Sequence, residues 1–184
     1  MPGNYAVIGM GFVGLSQAIA LAKSGHNVIG VENDPRKLRW LEEYAQGKRD
    51  DFPLYEKDLD IEAREQFRAG RLRFTKDLEE AVNNSEAMFI AVGTPSLANG
   101  KAKLSTVYQV ANSTAKILNP KQKYLWVTKS TVPPGTAEQV RDFFKDHNVA
   151  VVSNPEFMAE GTALKDTMYP DRVVVGAKEE GAIT

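Results

Sequence analysis

Three glycines, Gly9, Gly11 and Gly14, lie between an apolar run and a stretch with helical spacing. Glycine at these places allows a tight turn, close approach of the backbone to a phosphate, and close packing of the helix on a sheet. The free N–H groups and the dipole of a helix start attract phosphate charge. The pattern therefore predicts a loop that binds the pyrophosphate of a dinucleotide.

A carboxylate, Glu32, ends the next apolar run. Such a carboxylate accepts hydrogen bonds from ribose hydroxyls and repels a 2′-phosphate, which favours NAD over NADP. Arg36, Lys37 and Arg39 follow closely and could instead meet a 2′-phosphate. NAD is the favoured cofactor, and a glycine-rich turn without a ligand is the alternative.

Further candidate residues follow three later apolar runs. Ligands of open parallel sheets bind beyond the carboxyl ends of the strands, so the hydroxyl- and proline-containing loops 92–96 and 129–136 could hold a nicotinamide and a substrate. Either loop could also be an ordinary turn. Glu156 and Glu160 come after the next run, and on a helix they would share one face. A solvated acidic face is the alternative for this pair.

Composition excludes several classes of function. The chain has no cysteine, which excludes disulfides, thiolate metal sites and a cysteine nucleophile within it. We expect no metal, because His26 and His147 lie far apart in sequence. The net charge of -1 gives no reason to expect nucleic acid. No run of about 20 apolar residues and no basic leader is present, so we expect no membrane contact and a cytoplasmic protein.

The elements that position these residues alternate between strand and helix. Near-continuous β-branched runs are typical of strands buried on both faces of a parallel sheet. Residues 56–80 predict a solvated helix, a turn at Gly70, a short strand and a second helix. The other predicted strands are 5–9, 27–32, 87–92, 124–128, 149–153 and 172–176. The other predicted helices are 15–24, 35–46, 105–118 and one that begins in a capping box of Thr136 and Gln139.

The alternation predicts a single α/β domain over residues 1–184. We expect a Rossmann-like, doubly wound, mostly parallel sheet of six strands or slightly more. Helices should cover both faces of this sheet.

Four motifs in order resemble the N-terminal NAD-binding domain of the UDP-glucose/GDP-mannose 6-dehydrogenase family. They are GMGFVG (9–14), VGTP (92–95), KSTVPPGT (129–136) and NPEFMAEGTALKDTMYPDRVVVG (154–176). LYEKDL (54–59) is similar to a short substrate-side stretch of the family. The resemblance covers about residues 4–177. Members of the family oxidise a nucleotide sugar at C6 to a uronic acid, with two NAD and a cysteine-bound intermediate.

The resemblance implies roles for matching positions. Thr131 would hold a catalytic water, and Glu156 would be the acid/base residue. The substrate, UDP-glucose on this resemblance, would contact Glu156, Phe157, Met158, Ala159 and Glu160. NAD would contact Gly9, Gly11, Phe12, Val13, Gly14, Glu32, Lys37, Val92, Gly93, Thr94, Pro95, Ser130, Thr131 and Glu160.

The sequence departs from the family in three ways. Lys57 and Asp58 stand where the family commonly has Pro-Gly, and Met158 replaces leucine. The central dimerising helix and the C-terminal domain, with its cysteine, lysine and asparagine, have no counterpart in these 184 residues. We therefore expect little turnover by this chain alone, and a homodimer for the full-length family. A stand-alone NAD-binding module and the cofactor domain of a two-electron hydroxyacid dehydrogenase are the alternatives.

Overall fold

The computed structural model describes residues 1–178, which form an open sheet covered by helices. The strands of the described residues are β1 (Asn4–Ile8), β2 (Asn27–Val31), β3 (Leu72–Thr75), β4 (Ala87–Ile90), β5 (Tyr124–Thr128), β6 (Val149–Ser153) and β7 (Gly176–Ala177). Their spatial order is β3-β2-β1-β4-β5-β6-β7. All neighbours pair in parallel except β7, which is antiparallel to β6. The predicted mostly parallel, doubly wound sheet is confirmed.

Helices cover both faces of the sheet. They are α1 (Phe12–Lys23), α2 (Pro35–Ala45), α3 (Leu59–Arg68), α4 (Leu78–Asn83), α5 (Ser105–Ala115), α6 (Thr136–Phe143) and α7 (Ala163–Met168). On β1, Ala6 and Ile8 pack into a core with α4, α5 and α6, whereas Val7 packs on the opposite face with α1, α2, α3 and α7. Burial on both faces explains why the strands are apolar at successive positions. No helix among the described residues is long and apolar enough to cross a membrane.

The order of the strands reverses at β1. This strand has β2 on one side and β4 on the other, so the connections that leave β1 and β4 diverge. A crevice opens at the carboxyl ends of two strands where connections diverge. The glycine loop at 9–14 and the loop at 92–96 both begin at this crevice.

The prediction of a strand at 172–176 is wrong for all of these residues except Gly176. Only Gly176–Ala177 pairs, with Val152 and Ser153 at the edge of the sheet. Val173, 65% exposed, and its two valine neighbours have no covering element among the described residues. A β-branched run has the same composition whether or not another layer covers it, so sequence alone could not distinguish the two cases.

Three predicted helix ends are also wrong. The first helix begins at Phe12 rather than at residue 15, because Gly11 is its N-cap. The helix after β5 has Gly135 as its N-cap, with a φ of 86°. The Thr136 hydroxyl is therefore not a capping group; it donates to the carbonyl of Pro133 at 2.7 Å. The helix predicted to end at residue 118 ends at Ala115.

The helix predicted at 35–46 is confirmed apart from its last residue, and the order of elements predicted for 56–80 is confirmed. The prediction that this charged stretch is solvated is wrong in part, because Glu56, Leu59 and Ala63 are buried. Pro35 opens α2, and the Asp34 side chain caps it by accepting from the N–H of Arg36. In the charged stretch, α3, a turn at Gly70, β3 and α4 follow one another as expected. Here the local signals, a proline, a capping acid and a glycine, agree with the tertiary packing.

Asp58, at the N-cap of α3, is the one non-glycine residue of positive φ in the described chain, with a φ of 63°. Its carboxylate makes no capping hydrogen bond, and Asp60 and Glu62 keep acidic charge in the first turn. Glycine adopts this backbone without strain. We expect Asp58→Gly to raise the free energy of unfolding by about 1 kcal/mol in a urea titration.

The control is Glu65→Gly, in the exposed middle of the same helix. It should lower the free energy of unfolding by about 1 kcal/mol, because glycine loses more backbone entropy there. A destabilised Asp58→Gly variant would show that the left-handed backbone carries no strain.

Candidate functional site

The glycine loop brings the start of α1 against the ends of β1 and β4. A Cβ on Gly14 would lie 1.8 Å from the carbonyl oxygen of Gly9. Gly9 has a φ of 93°, and a Cβ there would lie 2.7 Å from the carbonyl oxygen of Ala91. A Cβ on Gly11 would meet nothing within 4 Å. The loop is thus tightly packed at its two ends and open in the middle, where the unpaired N–H groups of a helix start are found.

A first cavity of about 350 Å³ lies between the ends of β1 and β2 and helix α5. Glu32 lies in it and is only 7% exposed. One carboxylate oxygen, Oε1, accepts from the backbone N–H of Asp34 at 3.0 Å, and Lys37 Nζ lies 3.5 Å from the other. The cavity is lined by Ile8, Gly9, Met10, Gly11, Val31, Glu32, Asn33, Lys76, Leu78, Ala91, Val92, Gly93, Thr106, Gln109, Val110 and Ser113.

Sequence reasoning missed the far wall of this cavity. Thr106, Gln109 and Ser113 come from α5, and Lys76 comes from the turn after β3. The spacing of 106, 109 and 113 marks one face of a helix. Only the strand order shows that this polar face turns toward Glu32.

A second cavity, of about 470 Å³, lies on the other side of the glycine loop. Residues from the glycine loop, the start of α1 and the loops after β4, β5 and β6 meet there. They are Gly11, Phe12, Val13, Ala91, Val92, Gly93, Thr94, Lys129, Ser130, Thr131, Glu156, Met158 and Glu160. Gly11, Ala91, Val92 and Gly93 line both cavities, so the two adjoin at the middle of the glycine loop.

Hydroxyl groups connect the loops after β4 and β5. The Ser130 hydroxyl donates to the carbonyl of Val92 at 2.7 Å. The Thr94 hydroxyl donates to the carbonyl of Thr131 at 2.8 Å. Both bonds fix loop backbone, which holds Thr131 at the edge of the second cavity.

Glu156 forms an almost buried ion pair with Lys129. Lys129 Nζ lies 2.6 Å from Glu156 Oε2 and also donates to the side-chain oxygen of Asn154 at 3.0 Å. The two charged side chains are 6% and 11% exposed. Sequence reasoning missed Lys129, although its place directly after β5 was a signal. A buried ammonium group needs a counter-charge, and the carboxylate expected at this edge supplies it.

The segment between β6 and α7 is not helical, contrary to the helical arrangement considered for Glu156 and Glu160. Glu156, Met158 and Glu160 line the second cavity from an irregular segment that ends in a turn at Glu160 and Gly161. Phe157 lies outside both cavities, 49% exposed, with the Arg172 guanidinium 5.4 Å from its ring. Ala159, Pro95 and Lys37 also lie outside the lining of both cavities.

Asp166, in α7, holds the end of this segment. Its carboxylate accepts from the Thr162 hydroxyl at 2.7 Å and from the backbone N–H of Ala159 at 3.1 Å. These hydrogen bonds, that of Thr162 first, hold the pKa of Asp166 below its ordinary value. The segment therefore has a charged anchor at physiological pH.

The histidines take no part in either cavity. His26 Nδ1 accepts from the backbone N–H of Gly3 at 3.0 Å, beside the ring of Tyr5. Within residues 1–178, no group of three or more His, Asp or Glu side chains is placed to hold a metal ion.

Comparison with known proteins shows which family this chain matches. Residues 3–184 match the family described as UDP-glucose/GDP-mannose dehydrogenase family, NAD binding domain. The UDP-glucose 6-dehydrogenase of Pseudomonas aeruginosa is 42% identical in an alignment 184 positions long, which covers 96% of this chain and 39% of the relative. That of Rickettsia bellii is 38% identical over 179 residues, with the same coverage. The chain thus spans about two fifths of these curated relatives.

Solved structures agree with this match. A UDP-glucose dehydrogenase from Pyrobaculum islandicum is 37% identical with a TM-score of 0.88. The match covers 100% of this chain and 42% of the chain of that structure. A GDP-mannose dehydrogenase from Pseudomonas aeruginosa is 31% identical with a TM-score of 0.87, covering 97% and 42%. A 3-hydroxyisobutyrate dehydrogenase from Mycobacterium tuberculosis, at 16% identity and a TM-score of 0.65, shares the fold alone.

The buried ion pair gives a stability prediction. Lys129→Met leaves the Glu156 carboxylate buried without its cation, so the free energy of unfolding should fall by about 3 kcal/mol. Adding Glu156→Gln removes the uncompensated charge and should restore most of the loss. Urea unfolding of both single variants and the double variant measures this coupling. Losses that simply add would show that the two groups do not interact.

Proposed function

This chain belongs to the UDP-glucose/GDP-mannose dehydrogenase family, and from that premise we propose that it holds NAD for the C6 oxidation of a nucleotide sugar. UDP-glucose is the proposed sugar nucleotide, because relatives at 38% and 42% identity are UDP-glucose 6-dehydrogenases. The chain spans about two fifths of those relatives. The oxidation is therefore proposed for this domain together with the remaining part of the family's architecture.

The observation that carries the proposal is the pair of cavities that adjoin at the glycine loop. NAD consists of two nucleotides joined by a pyrophosphate, and the two cavities adjoin at Gly11, Val92 and Gly93. We place the pyrophosphate at the start of α1, the adenosine in the first cavity and the nicotinamide in the second. The open space around Gly11 fits this arrangement, since a side chain there would project toward the phosphates.

Glu32 supports the choice of NAD over NADP. Its carboxylate ends β2 inside the first cavity, where a ribose would be held. The N–H of Asp34 fixes one oxygen, and the other lies near Lys37. Lys37 therefore faces a carboxylate rather than an open phosphate site, and a 2′-phosphate would meet the negative charge of Glu32.

The second cavity supplies the groups for chemistry. NAD, when bound, supplies a hydride acceptor. We propose that the Thr131 hydroxyl orients a water molecule and that the Glu156 carboxylate accepts and returns protons beside it. Lys129 holds that carboxylate in place. Met158 and Glu160, with Phe157 and Ala159 at the adjoining surface, are the proposed contacts to the sugar.

Two further parts of the proposal rest on the family resemblance. The full-length protein is expected to be a homodimer, and its compartment is expected to be the cytoplasm. Size measurements on the full-length protein and its localisation in cells would test them.

Calorimetric titration of this chain with NAD and NADP tests the cofactor assignment. NAD should bind at least about tenfold more tightly than NADP, because Glu32 repels a 2′-phosphate. Glu32→Ala should narrow this ratio, whereas Glu42→Ala, on the exposed surface of α2, should leave it unchanged. An NADP preference in the wild type would refute the role of Glu32.

A chimaera tests the reaction. This chain, joined to the remaining part of the Pseudomonas aeruginosa relative, should form NADH from UDP-glucose. Glu156→Gln should reduce turnover by at least about 100-fold, because it removes the proton acceptor. Glu138→Gln, an exposed change on α6, is the control. Full turnover by Glu156→Gln would remove this residue from the mechanism.

A further inference from the structure

A buried carboxylate outside both cavities joins two distant parts of the chain. Glu56 lies just before α3 and is 8% exposed, whereas its neighbour Tyr55 is fully exposed. Glu56 Oε1 accepts from the backbone N–H of Gly161 at 2.8 Å, and Oε2 accepts from that of Ala163 at 3.1 Å. Both donors lie more than 100 residues further along the chain. The side chain thus connects the stretch before α3 to the start of α7.

The two N–H groups are the partners that stabilise this charge. In the part of the chain that the structure describes, no lysine, arginine or histidine forms an ion pair with Glu56. A buried carboxylate is costly unless hydrogen bonds satisfy it, and charge-assisted bonds to N–H groups are the stronger kind. The contact is therefore specific: both oxygens must accept, and both donors must stay in place.

The backbone held by Glu56 continues directly into the second cavity. Gly161 follows Glu160, and the segment from Glu156 to Glu160 lines that cavity at alternate residues. Asp166 also holds the segment, but Asp166 belongs to α7 and would move with it. Glu56 instead holds it from the α3 side of the domain.

The hydrogen bonds of Glu56 connect two elements that both pack against α1, the helix that follows the glycine loop. Helix α3 packs against α1, and α7 packs against α1 as well. In the proposed placement of NAD, the first turn of α1 lies at the pyrophosphate. Glu56 thus ties the Glu156–Glu160 segment to the elements around α1, which sets the spacing between the two ends of the site.

We propose that Glu56 is a positioning residue for the nicotinamide end of the NAD site. It acts through the backbone of Gly161 and Ala163, and it keeps Met158 and Glu160 at the second cavity. The inference rests on the proposed function, because it assigns the nicotinamide to that cavity. It also gives the LYEKDL stretch a role that needs no contact with the substrate, so the change to Lys57 and Asp58 leaves that role intact.

Binding of two ligands to this chain separates positioning from general support of the fold. In the proposed placement, ADP occupies only the glycine loop and the Glu32 cavity, whereas NAD also needs the second cavity. Glu56→Gln turns one acceptor into a donor that opposes an N–H group. NAD affinity should fall about tenfold or more, and ADP affinity should stay within twofold of wild type.

Two further variants complete the experiment. Glu65→Gln, an exposed change on α3, should bind both ligands as the wild type does. Glu56→Asp keeps the charge but is too short to reach both N–H groups, so it should show a smaller loss for NAD alone. If circular dichroism shows that Glu56→Gln is unfolded, the NAD and ADP affinities of Glu56→Asp test the proposal in its place.

Three results would overturn the proposal. Wild-type NAD affinity in the Glu56 variants would show that the segment needs no such anchor. Equal losses for NAD and ADP would show that Glu56 supports the fold as a whole. If the wild-type chain bound NAD no more tightly than ADP, the nicotinamide half would make no contact with the second cavity. Glu56 would then have no bound group to position. Failure of the proposed function has a different signature, since the wild-type chain would then bind neither ligand.

Discussion

The close contact between the first turn of α1 and the end of β1 is the constraint on which the site depends. A methyl group on Gly14 would lie 1.8 Å from the carbonyl oxygen of Gly9, so any side chain there would push the helix away. Because the contact is preserved, α1 starts at the point where the strand order reverses. Its N-terminus therefore faces a crevice with a cavity on each side. The two halves of a dinucleotide fit this division.

The two cavities differ in how they are built. The first has secondary-structure walls, with strand ends on one side and α5 on the other, and one carboxylate, Glu32, held by backbone. The second is formed by the first residues of α1 and by the loops after β4, β5 and β6, and a few polar contacts hold those loops together. They are the hydroxyls of Thr94 and Ser130, the ion pair of Lys129 with Glu156, and the anchors of the segment that follows. Loops on a rigid sheet are the usual place for binding and catalytic groups, because they vary while the scaffold stays fixed.

Much of the fold was predictable because local signals and packing agree. Successive apolar residues in β1, β2, β4, β5 and β6 reflect burial on both faces, and that pattern is visible in sequence. Asp34 and Pro35 open α2 as their chemistry requires. The errors came where a local pattern allowed two outcomes. The valines near residue 174 lack a covering layer, and Thr136 uses its hydroxyl on Pro133 rather than as a cap.

The sequence by itself determined the class of fold, the glycine loop and the residues that follow each strand, because these depend on local spacing and on the rule that ligands lie at carboxyl strand ends. Tertiary structure alone decided which of them meet. The irregular segment after β6 places Glu156, Met158 and Glu160 at the cavity and leaves Phe157 half exposed outside it. The roles of Lys129 and Glu56 depend on partners far along the chain. Lys129 pairs with Glu156, and Glu56 accepts from backbone N–H groups near the start of α7. A buried charge is costly unless a counter-charge or N–H donors compensate it. No pattern in the sequence shows which of these groups the fold brings into contact with the charge.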